Sequence, residues 1–112
     1  MIAFDEFENF DLLASVKFIE PKFGGRKSPV FDGYRGQFFW HINHIQSTDW
    51  DAAYVFPLGK VSPGEETECK IVLSENLKLV AGGNFKINEQ FCIREGSKVI
   101  AVGVILHSNI GS

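Results

Sequence analysis

The clearest feature of this sequence is the alternation of apolar and polar residues in short segments. In segment 12–19 every second residue is apolar, and these residues predict one buried face: Leu12, Ala14, Val16 and Phe18. Ser15 and Lys17 alternate with them and predict an exposed face. Because successive side chains of a β-strand point to opposite sides of a sheet, this period of two predicts a half-buried strand.

A second strand is predicted in the aromatic segment 37–43. Its inward residues are expected to be Phe38, Trp40 and Ile42, and its outward residues Gln37, Phe39, His41 and Asn43. Further segments with the character of strands lie at about 51–56, 67–73, 90–94 and 98–107. Turn-forming residues separate the strands: Ser62-Pro63-Gly64-Glu65, Gly82-Gly83-Asn84 and Glu95-Gly96-Ser97.

This succession of elements predicts the fold class. Short strands joined by glycine- and proline-containing turns, with almost no helical periodicity, are typical of an all-β sandwich or barrel. A chain of 112 residues forms one domain with a core of its own. For a domain of this size a closed barrel has the further advantage that no strand edge remains exposed.

Two segments depart from simple alternation. In segment 4–10 phenylalanines recur at every third position with acids between them, which predicts a single helical turn or an extended arm. The last strand is apolar on both faces, with Val99, Ala101 and Ile105 on one face and Ile100, Val102, Val104 and Leu106 on the other. Strands of this kind are covered on both faces. The phenylalanine-rich arm is the nearest cover, and a partner chain is the competing one.

Charge and cysteine content narrow the possible classes of protein. The net charge of −3 argues against a broadly basic protein that binds nucleic acid without specificity. Cys69 and Cys92 lie far apart in alternating segments, so two reduced, buried thiols are expected rather than a disulfide. We find neither a charged, apolar leader nor an apolar run of about 20 residues. A cytoplasmic protein without a membrane segment is therefore expected.

Patterns that would indicate catalysis or nucleotide binding are weak. The glycines at positions 24, 25, 33 and 36 precede a strand, whereas phosphate-binding glycine loops open a helix. Gly24-Gly25 is therefore interpreted as a turn that needs positive φ. His41 and His44 are three residues apart, which places them on opposite faces of a strand, and His107 ends the last strand. We expect no enzyme, no metal site and no cofactor.

A basic cluster beside polar and aromatic groups remains: Arg26, Lys27, Arg35, Gln37, Phe39 and His41. Cationic side chains next to amides and an aromatic face can contact phosphate and ribose. Alternatively, Arg35 and Tyr34 fix the loop by hydrogen bonds and stacking. The residues alone leave both interpretations open.

Three stretches carry a more specific signal. The first is GGRKSPVFDGYRGQF at 24–38, the second is VSPG at 61–64, and the third is FCIREG at 91–96 followed by VGV at 102–104. In this order, from about residue 13 to residue 106, they resemble the third, C-terminal domain of bacterial elongation factor Tu. Together these motifs are more specific than any single glycine pattern.

The resemblance implies a closed six-stranded antiparallel barrel at 12–107, preceded by an arm at 1–11 and followed by a tail at 108–112. It further implies a non-catalytic domain that helps to bind the T stem of aminoacyl-tRNA, packs on a GTPase domain and meets the nucleotide exchange factor. The RNA-binding positions that match are Arg26, Lys27, Gln37, Glu95 and Gly96. A carboxylate can accept a hydrogen bond from a ribose hydroxyl, and glycine permits close approach of the backbone.

The sequence also departs from the family pattern. The family's GTPase domain and second domain lie outside these 112 residues, so we expect no GTP binding by this chain. Gly36 stands where the family usually has proline, His41-Ile42-Asn43 replaces an arginine-threonine-threonine run, and Gln46 aligns near a threonine that touches tRNA. Extra residues occur at about 76–88. Any affinity for tRNA is therefore expected to be weak and sensitive to salt.

Two hypotheses of function follow. The first is a non-enzymatic interaction module that binds tRNA or a protein of the translation machinery. The second is a protein-binding domain without RNA binding, whose partner is a second copy in a homodimer, a toxin-type protein or a GTPase supplied in trans. The interface expected for such a partner is the outward face of the last strand: Ile100, Val102, Val104 and Leu106.

Overall fold

The computed structural model describes residues 4–40, 48–81 and 85–110. Nine strands are present in these parts of the chain: β1 (Leu12–Phe18), β2 (Val30–Phe31), β3 (Gln37–Trp40), β4 (Thr48–Trp50), β5 (Ala52–Val55), β6 (Lys60–Val61), β7 (Glu66–Leu73), β8 (Gln90–Glu95) and β9 (Lys98–Ser108). One α-helix, α1 (Glu75–Ala81), and two short 3-10 turns, Phe4–Glu6 and Pro21–Phe23, complete the elements. The predicted all-β class is confirmed.

The main sheet closes on itself through one bent strand. Its order is β4-β3-β8-β9-β1-β7-β5, and every pairing in it is antiparallel. The two ends of this order, β4 and β5, are separated in sequence by Asp51 alone. The segment 48–55 therefore pairs with β3 through its first half and with β7 through its second half. With β4 and β5 counted as one strand, the molecule is the closed six-stranded antiparallel barrel that was predicted.

The alternation seen in the sequence builds the core. In β1 the side chains of Leu12, Ala14 and Val16 are fully buried, and Lys17 is exposed, as predicted. In β3 Phe38 and Trp40 point inward, where Phe38 stacks on Phe91 at 4.7 Å between ring centres. Burying a side chain of this size contributes about 1.5–3 kcal/mol. The remaining predicted strand residues, His41 to Asn43, lie outside the described residues.

The turn predictions have mixed outcomes. Gly64 in the 62–65 turn and Gly96 between β8 and β9 have φ of 90° and 63°, so both turns use the left-handed conformation that glycine favours. The predicted turn Gly82-Gly83-Asn84 lies outside the described residues. Helix α1 was not predicted, because seven residues are too few for helical periodicity to be recognised. Ser74 accepts a hydrogen bond from the backbone N–H of Leu77 and caps this helix (3.2 Å).

The last strand contains an irregularity that corrects one expectation. In the pairing of β8 with β9, Ile93 faces Ala101 while Arg94 faces Val99, so Ile100 is an extra residue in the ladder. Because of this bulge Ile100 and Ala101 are both fully buried. Ile100 therefore belongs to the core and was wrongly grouped with the outward face.

The arm also differs from its expected position. A single helical turn and an extended arm were both predicted for segment 4–10; a 3-10 turn forms at Phe4–Glu6, and residues 7–10 belong to no helix or strand. The arm contacts Lys70 on β7, whereas Val102 on β9 stays 45% exposed. The expectation that the arm covers this part of the last strand is wrong. The reason is that the arm enters β1 on the side of β7, where the N–H of Asp11 donates to the carbonyl of Ile71 (2.8 Å).

The helices in the described residues are all too short, or not apolar enough, to cross a membrane.

Candidate nucleic-acid interface

Two glycines with different roles shape the loop that carries Arg26. Gly24 has a φ of 94°, which confirms the predicted turn with positive φ. Gly25 is buried, and its N–H donates to the carbonyl of Glu20 at 3.0 Å. A Cβ atom at Gly25 would lie 1.8 Å from the carbonyl oxygen of Ile19. Gly25 is therefore required for close packing of two backbone segments, and this packing fixes the position of Arg26.

Arg26 is held by contacts with three residues: Glu95, Ser28 and Tyr34. Its Nη1 forms an ion pair with Oε2 of Glu95, and its Nε and Nη2 donate to the carbonyl and hydroxyl oxygens of Ser28 at 3.2 and 3.0 Å. The guanidinium carbon lies 5.5 Å from the centre of the Tyr34 ring. The loop is thus fixed by Arg26 and Tyr34, while Arg35 is exposed. The interpretation in which Tyr34 and Arg35 fix the loop therefore agrees with the contacts of Tyr34. The arginine that fixes the loop is Arg26 and not Arg35.

Tyr34 and Glu95 complete this cluster. The Tyr34 hydroxyl donates to Oε2 of Glu95 at 2.5 Å. Gly36 makes room for the ring, because a Cβ at that position would lie 2.6 Å from Cε2 of Tyr34. Burial raises the pKa of Tyr34, and the bond to Glu95 raises it further. Burial opposes the charge of Glu95, but hydrogen bonds from Tyr34 and Arg26 and the charges of Arg26 and Lys98 outweigh it and lower its pKa.

Beside this cluster lies a shallow pocket of about 300 Å³. It is lined by Tyr34, Arg35, Gly36, Gln37, Arg94, Glu95 and Gly96. Gln37 donates to Asp51 at 3.3 Å, and the Arg94 guanidinium lies over the Phe39 ring at 4.8 Å. Gly96 is exposed, and apart from its own chain neighbours no described residue has a heavy atom within 4 Å of the position its Cβ would take.

The structure brings the sequence-predicted residues to one corner of the barrel. Gln37, Glu95 and Gly96 line the pocket, Arg26 contacts Glu95, and Lys27 is exposed next to Arg26. We call these five residues the basic corner. Within the described parts of the chain, the two side-chain bonds to Glu95 are made to Oε2, which leaves Oε1 to accept from an external hydroxyl.

Two residues of this region were not predicted as site residues. Arg94 was assigned only to a strand, yet register places it opposite Gln37 and its side chain reaches Phe39. Tyr34 was considered only as a structural residue, and it binds the same oxygen as Arg26. Both signals depend on contacts across strands, which spacing in the sequence does not reveal. His41, the remaining member of the predicted cluster, lies outside the described residues.

A second concave surface lies on the outside of the barrel. This outer groove of about 480 Å³ is lined mainly by apolar surface of β3, β8 and β9: Phe39, Phe91, Cys92, Val102, Gly103 and Val104. Ser15, Lys17, Glu66 and Gln90 border it. Val102 and Val104 of the predicted protein interface therefore lie in the groove. Leu106 is half-buried and is not part of its lining.

The remaining candidate groups are the two cysteines and the histidines. Cys69 and Cys92 are free thiols, with Cys69 fully buried and Cys92 half-buried. Burial raises the pKa of both, although Arg94 counteracts this at Cys92. His107 is exposed, and its Nε2 lies 2.8 Å from Oδ1 of Asn109. His44 lies outside the described residues.

A comparison with protein-family models finds a match over most of the sequence. The model described as "Elongation factor Tu C-terminal domain" matches residues 6–108, which is nearly the whole chain.

Proposed function

The chain belongs to the elongation factor Tu C-terminal domain family, and from this membership we propose that it is a non-enzymatic interaction module which binds tRNA weakly through the basic corner. A protein of the translation machinery that meets the same corner is the other partner in this proposal. The observation that carries the proposal is the convergence of Arg26, Gln37, Glu95 and Gly96, from distant parts of the chain, around one shallow pocket.

The chemistry of the corner suits the backbone of an RNA helix. Lys27 and Arg35 are exposed and can neutralise phosphates, while Oε1 of Glu95 can accept a hydrogen bond from a ribose 2′-hydroxyl. The open surface at Gly96 lets the backbone of a ligand approach the β8–β9 turn. Because the whole chain has a net charge of −3, attraction to RNA depends on local cations such as Lys27 and Arg35, and binding is expected to fall with salt.

Arg26 has a supporting role in this proposal. Its guanidinium already satisfies Glu95 and Ser28, so it orients the carboxylate and fixes the loop. Lys27 and Gln37 then supply the contacts that a variant can remove without breaking the ion pair. Lys27 and Gln37 are therefore the residues to replace, and Arg26 is kept.

The test is titration of tRNA against the intact chain at about 50 and 150 mM salt. Replacing Lys27 and Gln37 with alanine is expected to weaken binding and to reduce the dependence of log K on log salt by about 0.7–0.9, the value for one phosphate contact. Lys86→Ala is the matched control, because Lys86 is exposed and precedes β8, at the opposite end of the strand from Glu95. No binding at low salt, or equal loss in the control, contradicts the RNA proposal.

The outer groove supports a second candidate function. Val102 is 45% exposed and lies with Val104 and Phe39 in a mainly apolar concave surface, which is typical of a protein interface. A protein-binding domain without RNA binding uses this surface. Val102→Asp is expected to abolish capture of such a partner while leaving the tRNA titration unchanged. Binding of tRNA by the wild-type chain at low salt contradicts this second function, and partner capture that survives in Val102→Asp contradicts the use of the groove.

A further inference from the structure

A buried lysine on the outer wall of the barrel holds the N-terminal arm in place. Lys70 lies on the outward side of β7 between the inward residues Cys69 and Ile71, yet it is only 9% exposed. Its Nζ donates to the carbonyl oxygens of Phe4 (2.5 Å) and Phe7 (3.0 Å). The same atom lies 4.4 Å from the centre of the Phe4 ring and 4.9 Å from that of Phe10.

This environment is specific for a cation. Among the described residues no carboxylate lies within ion-pairing distance of Lys70 Nζ. A buried ammonium group needs compensation for the water it loses. Here two carbonyl dipoles and the negative faces of two aromatic rings supply it. All four groups come from the arm.

The other end of the arm is fixed by an acid. Oδ2 of Asp11 accepts the backbone N–H of Leu73 at 2.8 Å, and Oδ1 lies 3.4 Å from Nζ of Lys78. Between the two anchors, Phe7 and Phe10 contact each other at 6.3 Å. The acids inside the segment, Asp5, Glu6 and Glu8, are exposed instead. The surface thus binds three phenylalanines at three-residue spacing.

Departure of residues 4–10 would break no strand pairing of the barrel. Residues 4–10 belong to no strand of the sheet, and their one described backbone bond joins Phe7 to Phe4 within the arm. Their bonds to the rest of the molecule are made by side chains, those of Lys70 and Asn109. A segment bound in this way behaves as a docked peptide that happens to be covalently attached.

We propose that the outer face of β7 around Lys70 is a binding site for a peptide of the form Phe-x-x-Phe-x-x-Phe, and that residues 4–10 of this chain occupy it in cis. The partner is a protein that presents such a segment. The arm competes with it at the high effective concentration of a tethered ligand, so the partner binds when the arm is displaced. This site lies on the β1–β7–β5 side of the barrel and is independent of the proposed RNA contacts.

The test uses a fluorescein-labelled peptide with the sequence FDEFENFD, residues 4–11, and the full-length chain. In the host variant, Phe4→Ala and Phe10→Ala remove both rings from Lys70 and weaken the tethered arm. Fluorescence anisotropy is expected to show binding to this host at least about tenfold tighter than to the wild type. Adding Lys70→Met to the host is expected to weaken binding by at least about tenfold, whereas adding Lys86→Met is expected to leave it unchanged.

Peptide variants keep the proposal falsifiable even where a protein variant loses its fold. A peptide with serine at all three phenylalanine positions is expected not to bind, and one with Asp5, Glu6 and Glu8 neutralised as amides is expected to bind, because those acids are exposed. The proposal is overturned if the host binds no better than the wild type, if Lys70→Met has no effect, or if the serine peptide binds equally well.

Discussion

Two of the cations that lie against aromatic rings, Arg26 and Lys70, differ in where their compensating groups come from. In the basic corner Arg26 faces Tyr34 and pairs with Glu95, and all three residues belong to the barrel and its loops. On β7, by contrast, Lys70 is compensated by carbonyls and rings of the arm. The first cation has a carboxylate partner and the second has none among the described residues.

This difference indicates that the basic corner is preorganised, whereas the groups around Lys70 can be exchanged for those of another segment. The corner is assembled by residues that the fold itself fixes, so exposed neighbours such as Lys27 stand on a rigid base and lose little entropy on binding. The Lys70 site is complete only while the arm is docked. A rigid corner suits the backbone of a nucleic acid, and a site filled by a detachable segment suits a competing peptide.

The largest expected change in stability comes from a substitution that disrupts the basic corner and leaves the arm in place. Gly25→Ala would place a Cβ 1.8 Å from a backbone carbonyl oxygen, which no side-chain movement can relieve. We expect a loss of about 3 kcal/mol in the free energy of unfolding, at the upper end for overpacking, together with loss of the Arg26–Glu95 contact. Urea unfolding measures the loss in the free energy of unfolding. Under native conditions the protection of the arm from proteolysis is expected to be unchanged.

Gly24→Ala is the control for this prediction. Its Cβ would meet nothing within 4 Å, but its φ of 94° is unfavourable for alanine. The loss is expected to be smaller, about 1–2 kcal/mol. Equal losses in the two variants would show that the turn conformation, and not the close approach of backbones, fixes the loop.

A second, smaller effect concerns the Tyr34 ring, which contacts both Arg26 and Glu95. Gly36→Ala would bring a Cβ to 2.6 Å from Tyr34 and 2.8 Å from Cγ2 of Ile93. Displacement of the ring breaks its bond to Glu95, and we expect a loss of about 2 kcal/mol. In a double-mutant cycle with Tyr34→Ala the two losses are expected not to add, because alanine removes the clashing ring. Additive losses would place the strain at Ile93 instead.

Most of the fold could be predicted from the sequence. Alternation located the strands that became β1, β3, β5, β7 and β8, because each has one face in the core, and the strand that became β9 was found as an apolar run. Closure of the barrel could not be derived from the same pattern. It depends on segment 48–55 pairing with different strands on either side of Asp51, and pairing partners are a property of the tertiary structure. The two-residue strands β2 and β6 are too short to show a period.

The candidate site was predictable only in part. Resemblance to a family pointed to Arg26 and Glu95, but their ion pair joins residues 69 positions apart, and no spacing rule predicts it. Lys70 shows the opposite limit. It lies in the strand predicted at 67–73, and lysines are normally exposed. Its burial comes from the arm, a segment without strand periodicity that docks from outside the barrel.

The smallest expected effect is a change of stability with pH, which should occur for the Arg26–Glu95 pair and not for Lys70. The pKa of Glu95 is lower in the folded chain than in the unfolded one, so the stability it contributes is present above the unfolded pKa of about 4.3. As the pH falls through the folded value, that contribution is lost. Because the side chain is 34% exposed and therefore screened, the contribution is expected to be at most about 1 kcal/mol.

Urea unfolding of wild type and Glu95→Gln between about pH 6 and pH 3 measures this contribution. The difference between the two chains is expected to shrink as pH falls, because protonation removes from the wild type what the amide already lacks. For Lys70→Met the difference from wild type is expected to stay constant over the same range, since no carboxylate among the described residues pairs with Lys70. If the Lys70 difference shrinks in parallel, a carboxylate supports both cations, and the contrast between a self-contained corner and an arm-dependent site fails.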